Sequence, residues 1–61
     1  MKRMMYKGTS PYSFKAGEWG LVIGTVYTNR WCFVIQYTDG VIDYTPIIDI
    51  NNYILEEREM L

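Results

Sequence analysis

Asp39, Asp43 and Asp49 are the acidic residues that could be assembled into a magnesium-binding or general acid–base cluster in this 61-residue chain. Each has a plainer use. Asp39 belongs to Thr38-Asp39-Gly40-Val41, which sets Asp-Gly between two β-prone runs, and Asp43 falls at a solvent-facing strand position beyond it. Cys32 is the only cysteine, and it sits mid-run in Trp31-Cys32-Phe33-Val34-Ile35-Gln36-Tyr37 with no base beside it. A thiol there reads as a small, half-buried hydrophobe rather than a nucleophile.

The chain has no histidine. That removes Ser-His-Asp and Cys-His catalysis within one chain, and histidine-based metal sites with them. A single cysteine also excludes an intrachain disulfide and a cysteine-pair zinc site. Gly17-Glu18-Trp19-Gly20 lacks the lysine and following helix that a phosphate cradle requires. The chain therefore reads as non-enzymatic, with no catalytic residue, no cofactor and no metal. An active site shared between copies is the one catalytic arrangement these residues leave open.

Aromatic rings are what the chain has in abundance: Trp19, Trp31, Phe14, Phe33 and six tyrosines. A domain of about 60 residues buries only about 60% of its unfolded surface, so most of these rings are needed for packing. Rings left outside are natural anchors for a partner. The candidates are Trp19 and Tyr27, which alternation places on one face of a strand, Trp31 at the start of the next, Arg30 beside it, and Tyr12 and Phe14 in the opening segment.

Charge is divided along the chain. Residues 1–15 hold Lys2, Arg3, Lys7 and Lys15 with no acid, giving +4, whereas residues 16–61 hold Arg30 and Arg58 against seven acids, giving −5. An acidic body repels a phosphate backbone, so nucleic-acid contact would have to lean on Lys2, Arg3, Lys7, Lys15 and Arg30. No stretch approaches the roughly 20 apolar residues of a membrane span. With a lone cysteine and no secretory leader, the expectation is a soluble, cytoplasmic protein without membrane contact.

The elements that must position these groups are strands. Residues 1–16 mix Gly8, Ser10, Pro11 and Ser13 with scattered rings and read as an N-terminal arm, partly irregular, with room for one short strand. The stretch from Trp19 to Thr28 is β-prone, and Gly20 and Gly24 argue against a helix there. Asn29-Arg30 reverses the chain into the run from Trp31, and Pro46 ends the strand after Asp-Gly. Residues 47–52 leave room for one short helical turn before a closing strand from Tyr53 to Glu57, with a helix over 52–61 as the rival, and 58–61 form a C-terminal tail. The domain proper spans 17–57.

If Asp39 and Gly40 form a two-residue type I′ loop, Tyr37 faces Ile42, Gln36 faces Asp43 and Ile35 faces Tyr44. One face then collects Trp31, Phe33, Ile35, Tyr37, Ile42 and Tyr44 as the core, and the wetter face collects Cys32, Val34, Gln36, Thr38, Val41, Asp43 and Thr45. The expected architecture is all-β: an SH3-like small barrel, or a strongly bent antiparallel sheet, of four to five short strands.

Gly20-Leu21-Val22-Ile23-Gly24-Thr25-Val26 resembles the glycine-spaced first strand of KOW modules, and Ile35-Gln36-Tyr37-Thr38-Asp39-Gly40 resembles an Asp-Gly segment common in KOW- and Tudor-like barrels. The likeness covers about residues 17–55. It implies a binding module: KOW-like members contact RNA or other proteins, and Tudor-like members hold methylated side chains in an aromatic cage. The acidic body departs from the basic KOW pattern, and a core position for Tyr37 and Tyr44 would take them from any cage. Such compact chains also resemble small proteins of phages and mobile elements.

The function expected is protein–protein interaction or self-association, a homodimer included, through aromatics or an open strand edge. The alternative is nucleic-acid binding through the basic arm and neighbouring rings.

Overall fold

The computed structural model describes residues 1–60. Five strands form one antiparallel sheet: β1 (Lys2–Gly8), β2 (Trp19–Tyr27), β3 (Trp31–Gln36), β4 (Ile42–Pro46) and β5 (Tyr53–Glu59). A 3-10 turn, Ile50–Asn52, precedes β5. The strand order is β4-β3-β2-β1-β5, and the sheet is not closed into a barrel. All-β, one sheet and one short helical turn agree with the sequence, and the open sheet replaces the closed barrel.

Residues 2–8 are not a loose arm. β1 lies inside the sheet, paired with β2 from Met5↔Leu21 to Lys7↔Trp19 and with β5 along its whole length, from Lys2↔Glu59 to Gly8↔Tyr53. The irregular part of the segment is confined to 9–18, which folds back through Gly17 N–H donating to the Gly8 carbonyl at 2.8 Å and Thr9 N–H donating to the Asn52 carbonyl at 2.9 Å. At the other end Arg58 and Glu59 continue β5, so the expected tail does not begin at 58 and among the described residues the rival helix over 52–61 does not form; Leu61 lies outside the described residues.

The Asp-Gly signal marks a hairpin of a different length. Tyr37 N–H donates to the Val41 carbonyl and Gly40 N–H to the Tyr37 carbonyl, both at 2.9 Å, leaving Thr38, Asp39 and Gly40 as a three-residue loop. Gly40 has φ of 88°, the left-handed position that closes such a loop after a type I turn. Asp39 supports it by accepting the Val41 N–H on Oδ1 at 3.0 Å. One extra loop residue moves the register by one, so Gln36 pairs with Ile42, Ile35 with Asp43 and Val34 with Tyr44. The faces of β4 exchange: Tyr44 and Ile42, expected in the core, are exposed.

A second irregularity acts on β2. Val22 pairs with Ile35 but Gly24 with Val34, so Ile23 is the extra residue of a β-bulge. Alternation restarts there, which puts Trp19 and Tyr27 on opposite faces rather than together.

The core is small. Tyr6, Ile35 and Tyr37 are buried, with Val22, Phe33 and Tyr53 packed against them. Tyr6 and Tyr53 rings lie 5.3 Å apart, and Phe33 meets Tyr53 nearly perpendicular at 5.7 Å, the edge-to-face geometry aromatic quadrupoles favour. Cys32 is buried as well, its thiol donating to the Arg30 carbonyl at 3.6 Å.

Candidate interaction surfaces

Tyr27, Arg30, Trp31, Ile47 and Ile48 converge at the turn between β2 and β3. Tyr27 and Trp31 are cross-strand partners whose rings meet edge to face with centroids 5.5 Å apart, yet both remain exposed. They line a shallow apolar concavity with Arg30 and the segment after β4, Ile47 and Ile48. Ile47 N–H donates to the Trp31 carbonyl at 3.0 Å, which fixes that segment against the hairpin. Three of the residues singled out in the sequence, Tyr27, Arg30 and Trp31, are thereby brought together. Ile47 and Ile48 were not singled out; they fall in a short apolar run beside the helical turn, and their exposure depends on tertiary placement that periodicity does not carry.

Trp19 lies elsewhere and is already engaged. Lys7 Nζ is 4.7 Å from its ring centroid and the Arg58 guanidinium carbon 4.5 Å, so two cations use a ring that would otherwise await a partner. Arg58 also donates from Nε and Nη2 to Glu56 Oε2, at 3.1 and 2.8 Å. Arg3 is its cross-strand partner, placing like charges opposite one another.

Tyr12 and Phe14 belong to a third place, the segment 9–18. Tyr12 is 95% exposed, and Phe14 covers Tyr37 edge-on at 5.9 Å. With Tyr44, Tyr53, Asp43 and Asp49 they line a cup of about 330 Å³. Its base is held by hydrogen bonds, Tyr53 hydroxyl to the Ile47 carbonyl at 2.6 Å and the Tyr6 hydroxyl with Thr45 Oγ1 at 3.3 Å. Burial pushes the Tyr37 phenol up to about 12, helped by negative charge on Tyr6, Asp43 and Glu18.

The five basic residues of the nucleic-acid alternative do not form one patch. Lys2 pairs with Glu57 at 3.6 Å, and Lys15 with Asp39 at 2.7 Å and Glu18 at 3.9 Å. Lys7 lies over Trp19 with Arg58, Arg3 stands opposite Arg58, and Arg30 lies apart with Tyr27 and Trp31. Among the described residues no three His, Cys, Asp or Glu side chains are grouped to hold a metal ion, and no helix is long and apolar enough to cross a membrane. Asp39 joins Lys15 instead of Asp43 and Asp49, so the three aspartates are not one cluster.

No family model, curated protein or solved structure matches the chain.

Proposed function

We propose that the protein is a non-enzymatic interaction module that self-associates, with Tyr27, Trp31, Ile47 and Ile48 at the contact. The observation that carries this is an imbalance of burial. Among the described residues four hydrophobic side chains are buried, Tyr6, Cys32, Ile35 and Tyr37, whereas fourteen large hydrophobics are exposed. A small domain without disulfide or metal has few other ways to offset the entropy of folding, and a second copy supplies apolar cover at no cost in sequence.

Tyr27 is 60%, Trp31 58% and Ile48 76% exposed. Together they present on the order of 400 Å² of side-chain surface, about half of what each partner contributes to a standard interface. Asn29 and Arg30 supply a polar rim, as interfaces generally have. A two-fold contact through one patch is self-complementary and closes at a dimer. The SH3-like resemblance, which implies a binding module, supports this reading.

Light scattering across a concentration series, at low and high salt, tests the proposal. A dimer that forms with rising concentration and is indifferent to salt is expected, and Trp31→Ser with Ile48→Ser should leave a folded monomer. Nucleic-acid binding has less support, because Lys2 and Lys15 are ion-paired and Lys7 and Arg58 lie on Trp19. It would show itself by affinity falling steeply with salt as counterions are released.

A further inference from the structure

The sheet ends in two open edges, β4 and β5. In an antiparallel ladder, residues that bond to the neighbouring strand alternate with residues whose N–H and C=O point away from it. Tyr37 N–H donates to the Val41 carbonyl and Ile47 N–H to the Trp31 carbonyl, so the residues bonding toward β3 are Val41, Asp43, Thr45 and Ile47. Ile42, Tyr44 and Pro46 turn their backbone outward, and the N–H groups of Ile42 and Tyr44 meet no acceptor in the sheet. On β5, bonds from Thr9 N–H to the Asn52 carbonyl and from Met60 N–H to the Met1 carbonyl set the alternation, which turns Tyr53, Leu55, Glu57 and Glu59 outward.

We propose that two copies of the chain pair through β4, antiparallel across a two-fold axis at Tyr44, so that their sheets become one. This pairing rests on the self-association proposed above and adds a second surface and a register to it. Tyr44 exchanges N–H to C=O bonds with its counterpart, and the Ile42 N–H reaches the Pro46 carbonyl of the other copy. That carbonyl carries only a long bond from Asp49 N–H, at 3.4 Å, which leaves a lone pair to accept. The side chains match as well. Asp43 is the only charged residue in β4, and this register sets it opposite Thr45 rather than opposite itself. Ile42, Tyr44 and Pro46 form an apolar row on the other face. Beyond the strand, Val41 of one copy comes beside Ile47 of the other. It thereby extends a row that runs from Tyr27 to its cross-strand partner Trp31 and on to Ile47, and Val41, Tyr27 and Trp31 are all exposed in a single copy.

The β5 edge is guarded against the same use. Pairing its whole length with a second copy centres on Glu56 and sets that carboxylate opposite its own counterpart, with Glu57, Arg58 and Glu59 following along the edge. Charges so placed keep open edges from pairing. With β4 joined to β4 and β5 guarded, the assembly closes at a dimer and does not grow into a fibre.

Amide exchange with water, followed by NMR on the full chain below and above the concentration at which it dimerises, tests the pairing. The Ile42 and Tyr44 amides should slow by roughly tenfold once about nine-tenths of the chain is dimeric, because they exchange only from the monomer. Leu55 and Glu57, their equivalents on β5, should keep their monomer rates. Tyr44→Lys, at an exposed position, sets like charges opposite one another at the axis and should weaken the dimer by roughly tenfold or more. A dimer whose Ile42 and Tyr44 amides exchange as fast as in the monomer would overturn the pairing while leaving the Tyr27 and Trp31 patch as the contact. A Tyr44→Lys dimer as tight as the native one would do the same. A chain that stays monomeric overturns the pairing and the self-association together.

Discussion

Lys15 Nζ donates to Asp39 Oδ2 at 2.7 Å, joining the 9–18 segment to the tip of the β3–β4 hairpin. The contact has a measurable consequence on both partners. The hydrogen bond from Lys15, reinforced by the Val41 N–H, holds the Asp39 carboxyl below its ordinary value, and the same bond raises Lys15. A depressed carboxyl contributes stability that is present above its unfolded value and lost as pH falls through its folded one; a raised lysine contributes stability lost as pH rises through its folded value. NMR titration should find the Asp39 midpoint below the ordinary carboxylate range, and Lys15→Ala should return it toward that range. An Asp39 midpoint indifferent to Lys15→Ala would show that the contact is not made in solution.

Gly20 lies against the core pair Ile35 and Tyr37. A Cβ there would collide with Ile35 Cγ2 and stand 3.0 Å from Tyr37 Cε1, while a Cβ at Gly24 would meet nothing within 4 Å. Gly20→Ala should therefore destabilise by about 1–3 kcal/mol through overpacking. Gly24→Ala should stay within about 0.5 kcal/mol of the native chain. Urea unfolding of the two variants measures the difference, and equal effects would contradict this packing.

The Tyr37 hydroxyl is buried without a hydrogen-bond partner among the described residues. Replacing it removes a desolvated polar group and keeps the ring, so Tyr37→Phe should be neutral or stabilising by about 1 kcal/mol. A phenol pushed up to about 12 stays protonated in the folded chain where an unfolded one would ionise. That stability is full below the unfolded tyrosine value near 10 and is lost as pH rises toward the folded one. Spectrophotometric titration should show a last-ionising tyrosine, later than Tyr53, whose phenol burial also raises, and that last step should disappear in Tyr37→Phe.

Much of the strand content was legible because β-branched and aromatic runs bounded by Asn29-Arg30, Asp39-Gly40 and Pro46 leave few alternatives. The faces were harder to read. A single extra residue in the Thr38-Asp39-Gly40 loop turned Tyr44 outward, and a single bulge at Ile23 separated Trp19 from Tyr27. Both are one-residue events in a pattern of period two, where one residue reverses every assignment beyond it. β1 was hidden by its charges, since Lys2, Arg3 and Lys7 suit a solvated terminus as well as a strand between two neighbours. Asp43 and Asp49 drew notice as carboxylates, but their shared cup depends on the 9–18 segment folding over β4, a contact between distant parts of the chain.

Gly40, at φ of 88°, is the residue that closes the hairpin loop. A side chain there fits the open space but not the backbone. Gly40→Ala should cost about 1 kcal/mol, and Gly40→Asn less, because asparagine tolerates the left-handed region better. Thermal unfolding of the two variants gives the order, and equal losses would contradict the loop conformation.

Self-association through Tyr27, Trp31 and Ile48 is tested most directly by sedimentation equilibrium of the native chain and of Trp31→Ser/Ile48→Ser over the same concentrations, at two salt levels. The expected result is a native chain that approaches twice its monomer mass regardless of salt, and a variant that stays monomeric with its fold intact. A native chain that remains strictly monomeric at the highest concentration, or a variant that dimerises equally well, would contradict it.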